Sequence, residues 1–449
     1  MSAAAGTNRS VPASRPPGIV ESVATIVSRP LLARAEGHAS KRGILPRQPS
    51  GERLLADVET WLRAEYADMV RATSRRTLAD GSASLHASLH PAAPDVVLEA
   101  SDTGLVTVTA LTSVVGPGYH RFIGRILERL GLELSIAWTH ADPADITFGD
   151  RPAVERAYLA WLGPTLVAAR TSVSLGERGV HVGMPDGTWY TTDAAIATVL
   201  GPRDGAWLEA AIADPRVAVD VTPWWADATD GRYLLNRALA LMWLDVRWRP
   251  PVGDDEAALL DEVHRLLSRA FPIEPGLPYP WHAWAELAEN RGIRDGMARQ
   301  VADRAAAAPP QAVPLGYRRD PVTITHAGWA LEIPGGFAER RTAEEWWGGG
   351  NGRSITLAAV ETGGDGGPLS AAAFLDQVAS DLGADALTHR DGSVVGRARM
   401  TTDSSSGVEV GVVEGYSAVT GSGAAIRILV DDPEDWRWAL DTWRALAPG

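Results

Sequence analysis

DVVLEASDTGLVTVTALTS (residues 95–113) contains two runs of alternating apolar and polar residues, separated by Asp102-Thr103-Gly104. Such alternation places every second side chain on one face of a strand, and the glycine-containing segment favours a tight turn, so the stretch predicts a β-hairpin. An amphipathic helix is predicted soon after it, at 119–130, where apolar residues recur at three- and four-residue spacing. Together these elements indicate the α+β class, in which helices cover antiparallel sheets.

Composition divides the chain into four predicted parts. Residues 1–50 are rich in Ala, Ser, Arg and Pro and predict a disordered or weakly ordered tail. Residues 51–301 predict a mixed α+β domain, with β-hairpins followed by a helical bundle portion rich in Trp. The segment 302–316 has the composition of a linker. Residues 317–449 predict an α+β sandwich on an antiparallel sheet.

The C-terminal part of the chain resembles a known family. It contains GWALEIPGGF at 328–337, within an order of two strands, a helix, several strands and a terminal helix. This motif and order, over residues 317–449, resemble the PsbP-like family. The resemblance implies a small α/β sandwich that works by binding other proteins and has no shared catalytic residues.

Residue composition argues against several mechanisms. The chain has no cysteine, which excludes disulfides, thiolate nucleophiles and cysteine-bound zinc. Lys41 is the single lysine among 42 basic residues, so phosphate-binding loops and Schiff-base chemistry that use lysine are disfavoured. No G-x-S-x-G motif of an α/β-hydrolase occurs. No cofactor is predicted.

Charge and hydropathy limit the partners and the location. The net charge is −14, and no basic cluster interleaved with aromatic residues offsets it, which argues against nucleic-acid binding. No apolar run long enough to span a membrane occurs, and no secretory signal is recognised at the N-terminus. We therefore expect a cytoplasmic protein that binds neither nucleic acid nor membrane.

The turn Gly116-Pro117-Gly118 precedes the helix at 119–130 and has two interpretations. It could be an anion site at 116–121, formed by the helix N-terminus and Arg121, with His120 as a catalytic base. It could equally be a corner in which glycine permits a tight turn, and Pro117 removes one of the amide donors. Arg121, Arg125 and Arg129 form a stripe on the polar side of the helix.

Tryptophan, with 17 residues, outnumbers both phenylalanine with 5 and tyrosine with 8. A concentration between 223 and 284 could form a helical core or line an aromatic surface that binds a partner. The predicted binding residues are Trp224, Trp225, Trp281, His282, Trp284 and Arg121.

Two groups of metal-ligand residue types lack the spacing that a metal site needs. His86 and His90 are four residues apart, but nearby prolines argue against a helix. His140, Asp142, Asp145 and Asp150 lack the spacing of a calcium loop. No metal site is predicted.

The sequence thus favours a non-enzymatic cytoplasmic protein that binds a protein partner, as an adaptor, an immunity-type protein or a secretion accessory factor. In this interpretation no residue is catalytic. The alternative is a hydrolase or small-ligand-binding enzyme with an anion site at the 116–121 turn and His120 as its base. Neither interpretation fixes the oligomeric state.

Overall fold

A computed structural model gives the fold. It describes these parts of the chain: 30–39, 50–77, 82–139, 146–177, 179–184, 188–190, 192–310, 313–342, 344–361, 363–364, 367–383, 385–404 and 409–449. Helices cover antiparallel sheets in both the N-terminal and the C-terminal parts, so the predicted α+β class is confirmed. No helix of the described residues is both long and apolar enough to cross a membrane.

The first sheet has six strands, all paired antiparallel. They are β1 (Leu32–Ala39), β2 (Ala72–Thr77), β3 (Ala83–Ser88), β4 (Val96–Ala100), β5 (Leu105–Leu111) and β6 (Ile136–Thr139). Across the sheet the order is β2-β3-β4-β5-β1-β6. The predicted hairpin is β4 and β5, in which Leu98 pairs with Val108.

Strand β1 corrects the predicted disordered tail at residues 32–39, whereas residues 1–29 and 40–49 of that prediction lie outside the described residues. It lies between β5 and β6, with Ala35 opposite Val108 and Gly37 opposite Trp138. Its buried face consists of Ala33, Ala35, Gly37 and Ala39, which are poor strand formers by intrinsic preference. Pairing on both sides and burial outweigh that preference.

Two helices pack on this sheet. They are α1 (Gly51–Glu65) and α2 (Pro117–Leu134). Ser50 caps α1 by accepting a hydrogen bond from the backbone N–H of Arg53. In α2 the predicted apolar face is buried, including Phe122, Ile123 and Leu127. The polar side of α2, with its arginine stripe, therefore faces away from the sheet.

Helices dominate the middle of the chain. They are α3 (Arg151–Ser174), α4 (Gly205–Ala213), α5 (Gly231–Leu244), α6 (Asp254–Ile273), α7 (Trp281–Arg291) and α8 (Gly296–Ala307). Three short strands lie between them: β7 (His181–Val182), β8 (Thr188–Tyr190) and β9 (Ala197–Thr198). Helix α5 is buried on nearly all sides and packs against α6, so it forms the centre of the main core.

The C-terminal part contains two sheets. Their strands are β10 (Val322–His326), β11 (Trp329–Ile333), β12 (Ala338–Arg341), β13 (Glu345–Gly350), β14 (Arg353–Glu361), β17 (Leu387–Asp391), β18 (Val394–Asp403), β19 (Val410–Val419), β20 (Ser422–Val430) and β21 (Ala447–Pro448). A short hairpin is formed by β15 (Gly363–Gly364) and β16 (Gly367–Pro368). The larger sheet has seven antiparallel strands in the order β12-β13-β14-β20-β19-β18-β17.

Two helices cover opposite faces of the seven-stranded sheet. Phe374 of α9 (Ala371–Val378) packs where Gly423 lacks a side chain, and Trp443 of α10 (Trp436–Arg444) packs at Gly415. Gly415 pairs with Ile426, which lies three positions from Gly423 on β20, so the two helices are on different faces. The predicted antiparallel sheet with helices is confirmed.

The predicted linker at 302–316 does not separate two domains, which corrects that boundary. Helix α8 continues to Ala307, and Leu315 is buried in the main core. Strand β8 pairs with β10, joining Tyr190 to Val322 in the smaller sheet, whose order is β21-β11-β10-β8. The predicted linker therefore begins with the last turns of α8, and its two ends lie in one continuous core.

Candidate anion-binding cleft

The Gly116-Pro117-Gly118 turn is closed by the segment that follows residue 222. Gly118 donates its backbone N–H to the carbonyl of Trp224 at 3.0 Å, and the N–H of Trp224 donates to the carbonyl of Val115 at 2.9 Å. A Cβ atom on Gly118 would overlap the carbonyl oxygen of Ala226. Because backbone fills the space in front of the helix N-terminus, the 116–120 turn is a corner and has no room for an anion.

His120, the base of the enzyme alternative, lies beneath this corner. The residue is completely buried. Its Nδ1 is 2.8 Å from Thr112 Oγ1, and its Nε2 is 3.2 Å from the carbonyl oxygen of Ile146. Both ring nitrogens thus have protein partners, and the side chain has no access to a substrate, so the structure removes His120 from the candidate catalytic residues.

The predicted aromatic binding residues divide into buried and half-buried members. Trp224 and Trp284 are buried, with 1% and 0% exposure, which places them in the core instead of on a binding surface. Trp284 Nε1 donates to His264 Nδ1 at 3.1 Å. Satisfied donors and complete burial are what a structural tryptophan requires.

The remaining predicted aromatic residues are half-buried. Trp225 packs edge-on against Tyr158, with ring centroids 5.7 Å apart, and lines a hollow of about 520 Å³. Trp281 stacks on Trp284 at 5.7 Å, and His282 Nε2 lies 3.0 Å from the carbonyl oxygen of Pro309. The tryptophans of 223–284 therefore serve mainly to pack helices.

A cleft of about 840 Å³ lies on the polar side of α2. Its other walls are the segment after α1, the loop 227–230, and helices α5 and α6. The apolar part of its lining includes Tyr66, Phe122, Tyr233, Leu234 and Leu266. Its volume lies in the range of small-molecule sites.

Four arginines line the cleft: Arg125, Arg129, Arg237 and Arg269. Three of them pair with carboxylates. Arg129 pairs with Glu65, Arg237 with Glu262 at 3.2 Å, and Arg269 with Asp68 at 2.8 Å. These pairs fix the walls of the cleft and neutralise most of its positive charge.

Arg125 differs from the other three arginines. It is half-buried, and its Nη2 lies 3.4 Å from the carbonyl oxygen of Asp227. Within the described ranges of the chain it pairs with no carboxylate. A half-buried guanidinium in this state has strong donors left for an anion.

Arg121, a predicted binding residue, lies one turn before Arg125 on α2. Its Nε donates to Asp227 Oδ2 at 2.8 Å, and its Nη1 donates to the carbonyl of Gly149 at 2.9 Å. The first bond holds the loop 227–230 against α2, and the second holds the segment before α3. Arg121 therefore positions the wall of the cleft and is not itself among the lining residues.

Two lining residues carry buried polar atoms without hydrogen-bond partners in the described structure: Arg237 Nε and Asp227 Oδ1. The side chain of Arg237 is only 1% exposed. Buried polar atoms are usually hydrogen-bonded, so an unpaired one in a cavity indicates a place for a ligand atom or an ordered water.

The metal-ligand residue types do not come together. His90 is fully buried, with Nδ1 accepting from the backbone N–H of Ala92 at 3.1 Å, whereas His86 is half-buried on β3. His140, Asp142 and Asp145 lie outside the described residues. Among the residues that the structure does describe, no three His, Asp or Glu side chains are grouped as a metal site would require.

A second exposed feature crosses the seven-stranded sheet. Directly paired residues of neighbouring strands form one row: Arg340, Trp347, Thr356, Arg427, Glu414 and Arg399. The row lies on the face opposite α10, because Trp443 packs on the adjacent pair Ala398 and Gly415. We call it the sheet row, and each member is half-buried or exposed.

Comparison with known proteins identifies no family. No protein-family model matches the chain, and no curated protein matches it significantly. Among solved structures, the chain is similar to a crystal structure at 1.50 Å resolution from Bacteroides thetaiotaomicron VPI-5482, with 10% identity and a TM-score of 0.23. That likeness covers 27% of this chain, and this chain spans 46% of the other, so it is too weak to inform fold or function.

Sequence reasoning identifies one part of the cleft and misses the rest. The arginine spacing on α2 is visible in the sequence, and it leads from Arg121 to the lining residues Arg125 and Arg129. Arg237 occurs inside an apolar helix with no surrounding signal, and Asp227 is one acid among many. Asp227 reaches the cleft only because the loop 227–230 packs against Arg121 and Arg125 of α2.

Proposed function

We propose that this protein binds a small anionic ligand in the cleft beside α2, with Arg125 as the anchor, and that it performs no catalysis of its own. The observation that carries the proposal is the half-buried guanidinium of Arg125, which has no carboxylate partner in the described structure. An arginine in a partly desolvated cavity binds carboxylate or phosphate more strongly than one on an open surface.

The surroundings of Arg125 support an organic ligand in place of a simple inorganic anion. Aromatic rings of Tyr66, Phe122 and Tyr233 line the cleft beside the arginines. A ligand with an apolar or aromatic body would bury those surfaces while its anionic group meets Arg125. The proposed site lies about one helical turn along α2 from the anion site expected at 116–121. The expected position is filled because the loop after Trp224 packs against Gly116-Pro117-Gly118.

Isothermal titration of the full chain with 3-phenylpropanoate tests the proposal. We expect saturable binding that weakens about tenfold or more in Arg125→Gln, which keeps a polar side chain but loses the charge-assisted hydrogen bonds. Arg156→Gln is the matched control, because Arg156 is an exposed arginine on α3 outside the cleft. Equal affinity in the three proteins, or no binding of aromatic carboxylates and phosphates, would remove the proposed site.

A second candidate function is protein binding through the sheet row, in the cytoplasm, as an adaptor or accessory factor. The observation that favours it is the exposed row in which Arg340 lies over Trp347 at 5.9 Å and Arg427 is exposed. Arginine and tryptophan are enriched among the residues that contribute most to binding at interfaces. The resemblance of residues 317–449 to a family of binding domains points in the same direction.

Site-specific crosslinking separates this second function from the first. A photoreactive phenylalanine analogue at Trp347 should give one reproducible adduct in native cells. The same analogue at Arg437, an exposed position on α10 of the other sheet face, is the control. Adducts of equal amount and identity at both positions would contradict a docking surface at the sheet row.

A further inference from the structure

Asp227 places an acceptor next to the anion anchor of the cleft. Its Oδ2 accepts from Arg121 Nε at 2.8 Å, which leaves Oδ1 as the other carboxylate oxygen. Oδ1 is shielded from solvent and has no hydrogen-bond partner in the described structure, although the residue lines the cleft. A shielded carboxylate oxygen is costly to leave unpaired, so Oδ1 marks a place for a donor from a ligand or an ordered water.

The guanidinium of Arg125 and the carboxylate of Asp227 lie close together, because Arg125 contacts the backbone of Asp227. Arg125 Nη2 is 3.4 Å from the backbone carbonyl oxygen of Asp227, and the side chain of Asp227 carries the unpaired Oδ1. A ligand that satisfies both groups must carry its own anion and its own donor a short distance apart. A carboxylate and an ammonium on the same carbon have that separation.

The rest of the lining defines the body of such a ligand. Phe122, Tyr233 and Leu266 present apolar surface to the same cavity. The other three arginines of the lining each have a carboxylate partner, since Arg129 pairs with Glu65, Arg237 with Glu262 and Arg269 with Asp68, and only the Nε of Arg237 is left without a hydrogen bond in the described structure. The third acidic lining residue, Asp230, accepts the backbone N–H of Tyr233 as the cap of α5. An apolar side chain therefore suits the remaining volume better than a polar one.

We infer that the ligand of the cleft is an amino-acid-type zwitterion with an apolar or aromatic side chain, whose carboxylate meets Arg125 and whose ammonium donates to Asp227 Oδ1. This inference rests on the proposed function and adds to it the positive group of the ligand.

Three probes that share one aromatic ring separate the contributions of the two groups. They are L-phenylalanine, 3-phenylpropanoate without the amine, and 2-phenylethylamine without the carboxylate. Titrated into the full chain, L-phenylalanine should bind about tenfold or more tighter than either of the others, because it makes one additional charge-assisted hydrogen bond. Asp227→Asn should reduce L-phenylalanine to the affinity of 3-phenylpropanoate and leave 3-phenylpropanoate nearly unchanged.

A second variant distinguishes the loss of the Asp227 carboxylate from a displacement of the loop 227–230. Arg121→Gln removes the partner of Asp227 but keeps its carboxylate, so the preference for L-phenylalanine over 3-phenylpropanoate should persist. Equal binding of those two probes to the wild type, with dependence on Arg125, would overturn the zwitterion and leave the anion site standing. A preference for L-phenylalanine that survives Asp227→Asn would also overturn it. If neither carboxylate probe binds, the anion site and the inference both fail.

Discussion

Arg318 Nη1 lies 2.6 Å from Glu339 Oε1 in the buried region where the N-terminal and C-terminal parts of the chain meet. Both side chains are nearly inaccessible, at 6% and 14% exposure. Arg318 also donates from Nε to the carbonyl of Leu244 at 2.9 Å, at the end of α5. The pair therefore ties the central helix to β12 and explains why the expected linker separates no domains.

Two neighbouring arginines add hydrogen bonds to this joint at residues 334–337. Arg249 Nε donates to the carbonyl of Gly336 at 2.6 Å, and Arg247 Nε donates to the carbonyl of Phe337 at 2.5 Å. Arg247 Nη2 also lies 3.4 Å from Glu339 Oε1. The PGGF segment thus positions carbonyl groups for arginines that come from the segment after α5.

Replacing Glu339 by Ala should lower the free energy of unfolding by about 3–5 kcal/mol, because the buried guanidinium of Arg318 would lose its carboxylate and Arg247 would keep only Glu256. Urea denaturation at neutral pH measures the change. Glu344→Ala is the matched control, since Glu344 is an exposed acid close by on the chain, and we expect it to stay within about 0.5 kcal/mol of the wild type. A loss below about 1 kcal/mol in Glu339→Ala would show that the joint is not held by this charge.

The carboxylate of Glu339 should also make the free energy of unfolding depend on pH, at pH values below the ordinary pKa of a glutamate. Burial on its own would raise the pKa of Glu339, but Arg318 and Arg247 outweigh burial and lower the pKa from 4.5. A carboxylate with a lowered pKa in the folded state contributes stability that is complete above the unfolded value and is lost as pH falls through the folded value. The stability difference between wild type and Glu339→Gln should therefore be constant at pH 6–7 and shrink below about pH 4.5. A difference that is independent of pH down to about pH 3 would contradict this assignment.

The sequence predicts those elements whose signal is local. The hairpin at β4 and β5 and the apolar face of α2 follow from alternation and helical spacing within one stretch of chain. Strand β1 is not predicted from the sequence, because alanine has a low intrinsic preference for strands. Its alanines are in a strand because the segment pairs with β5 and β6. Burial of Arg318 is not predictable either, since an arginine in sequence gives no sign of the carboxylate that will meet it.

The buried imidazole of His90 predicts a separate loss of stability that begins at a higher pH than that of Glu339. Desolvation holds the pKa of His90 well below 6.5, and the charges of Arg237 and Arg71 lower it further. The unfolded chain therefore takes up this proton first, so stability is complete above the unfolded value and falls, by up to about 1.4 kcal/mol per pH unit, as pH drops below 6.5. His90→Asn offers an acceptor to the backbone N–H of Ala92 but has no charge to gain, so its stability should change less between about pH 7 and pH 5.

Denaturation curves at several pH values for wild type, His90→Asn and His86→Asn measure this effect. His86 is the matched control, because it is a half-buried histidine on the adjacent strand. We expect the His86→Asn protein to keep the pH slope of the wild type. If the slope disappears in His86→Asn and persists in His90→Asn, the assignment to His90 is wrong.

Gly118→Ala tests whether the turn before α2 is a filled corner. The new methyl group would overlap the carbonyl oxygen of Ala226 and the ring of Trp224, so the loop 224–230 would have to shift. Because backbone cannot yield as a flexible side chain does, we expect a loss of about 1–3 kcal/mol in the free energy of unfolding. Gly205→Ala is the matched control, because Gly205 starts α4 and its added methyl group would meet, among the described residues, no atom within 4 Å beyond its chain neighbours and its own helix backbone. A small gain of about 0.4–1 kcal/mol is expected. Since the shifted loop carries Asp227, Gly118→Ala should also weaken binding in the cleft, whereas an open cradle at the turn would tolerate the methyl group without loss of stability.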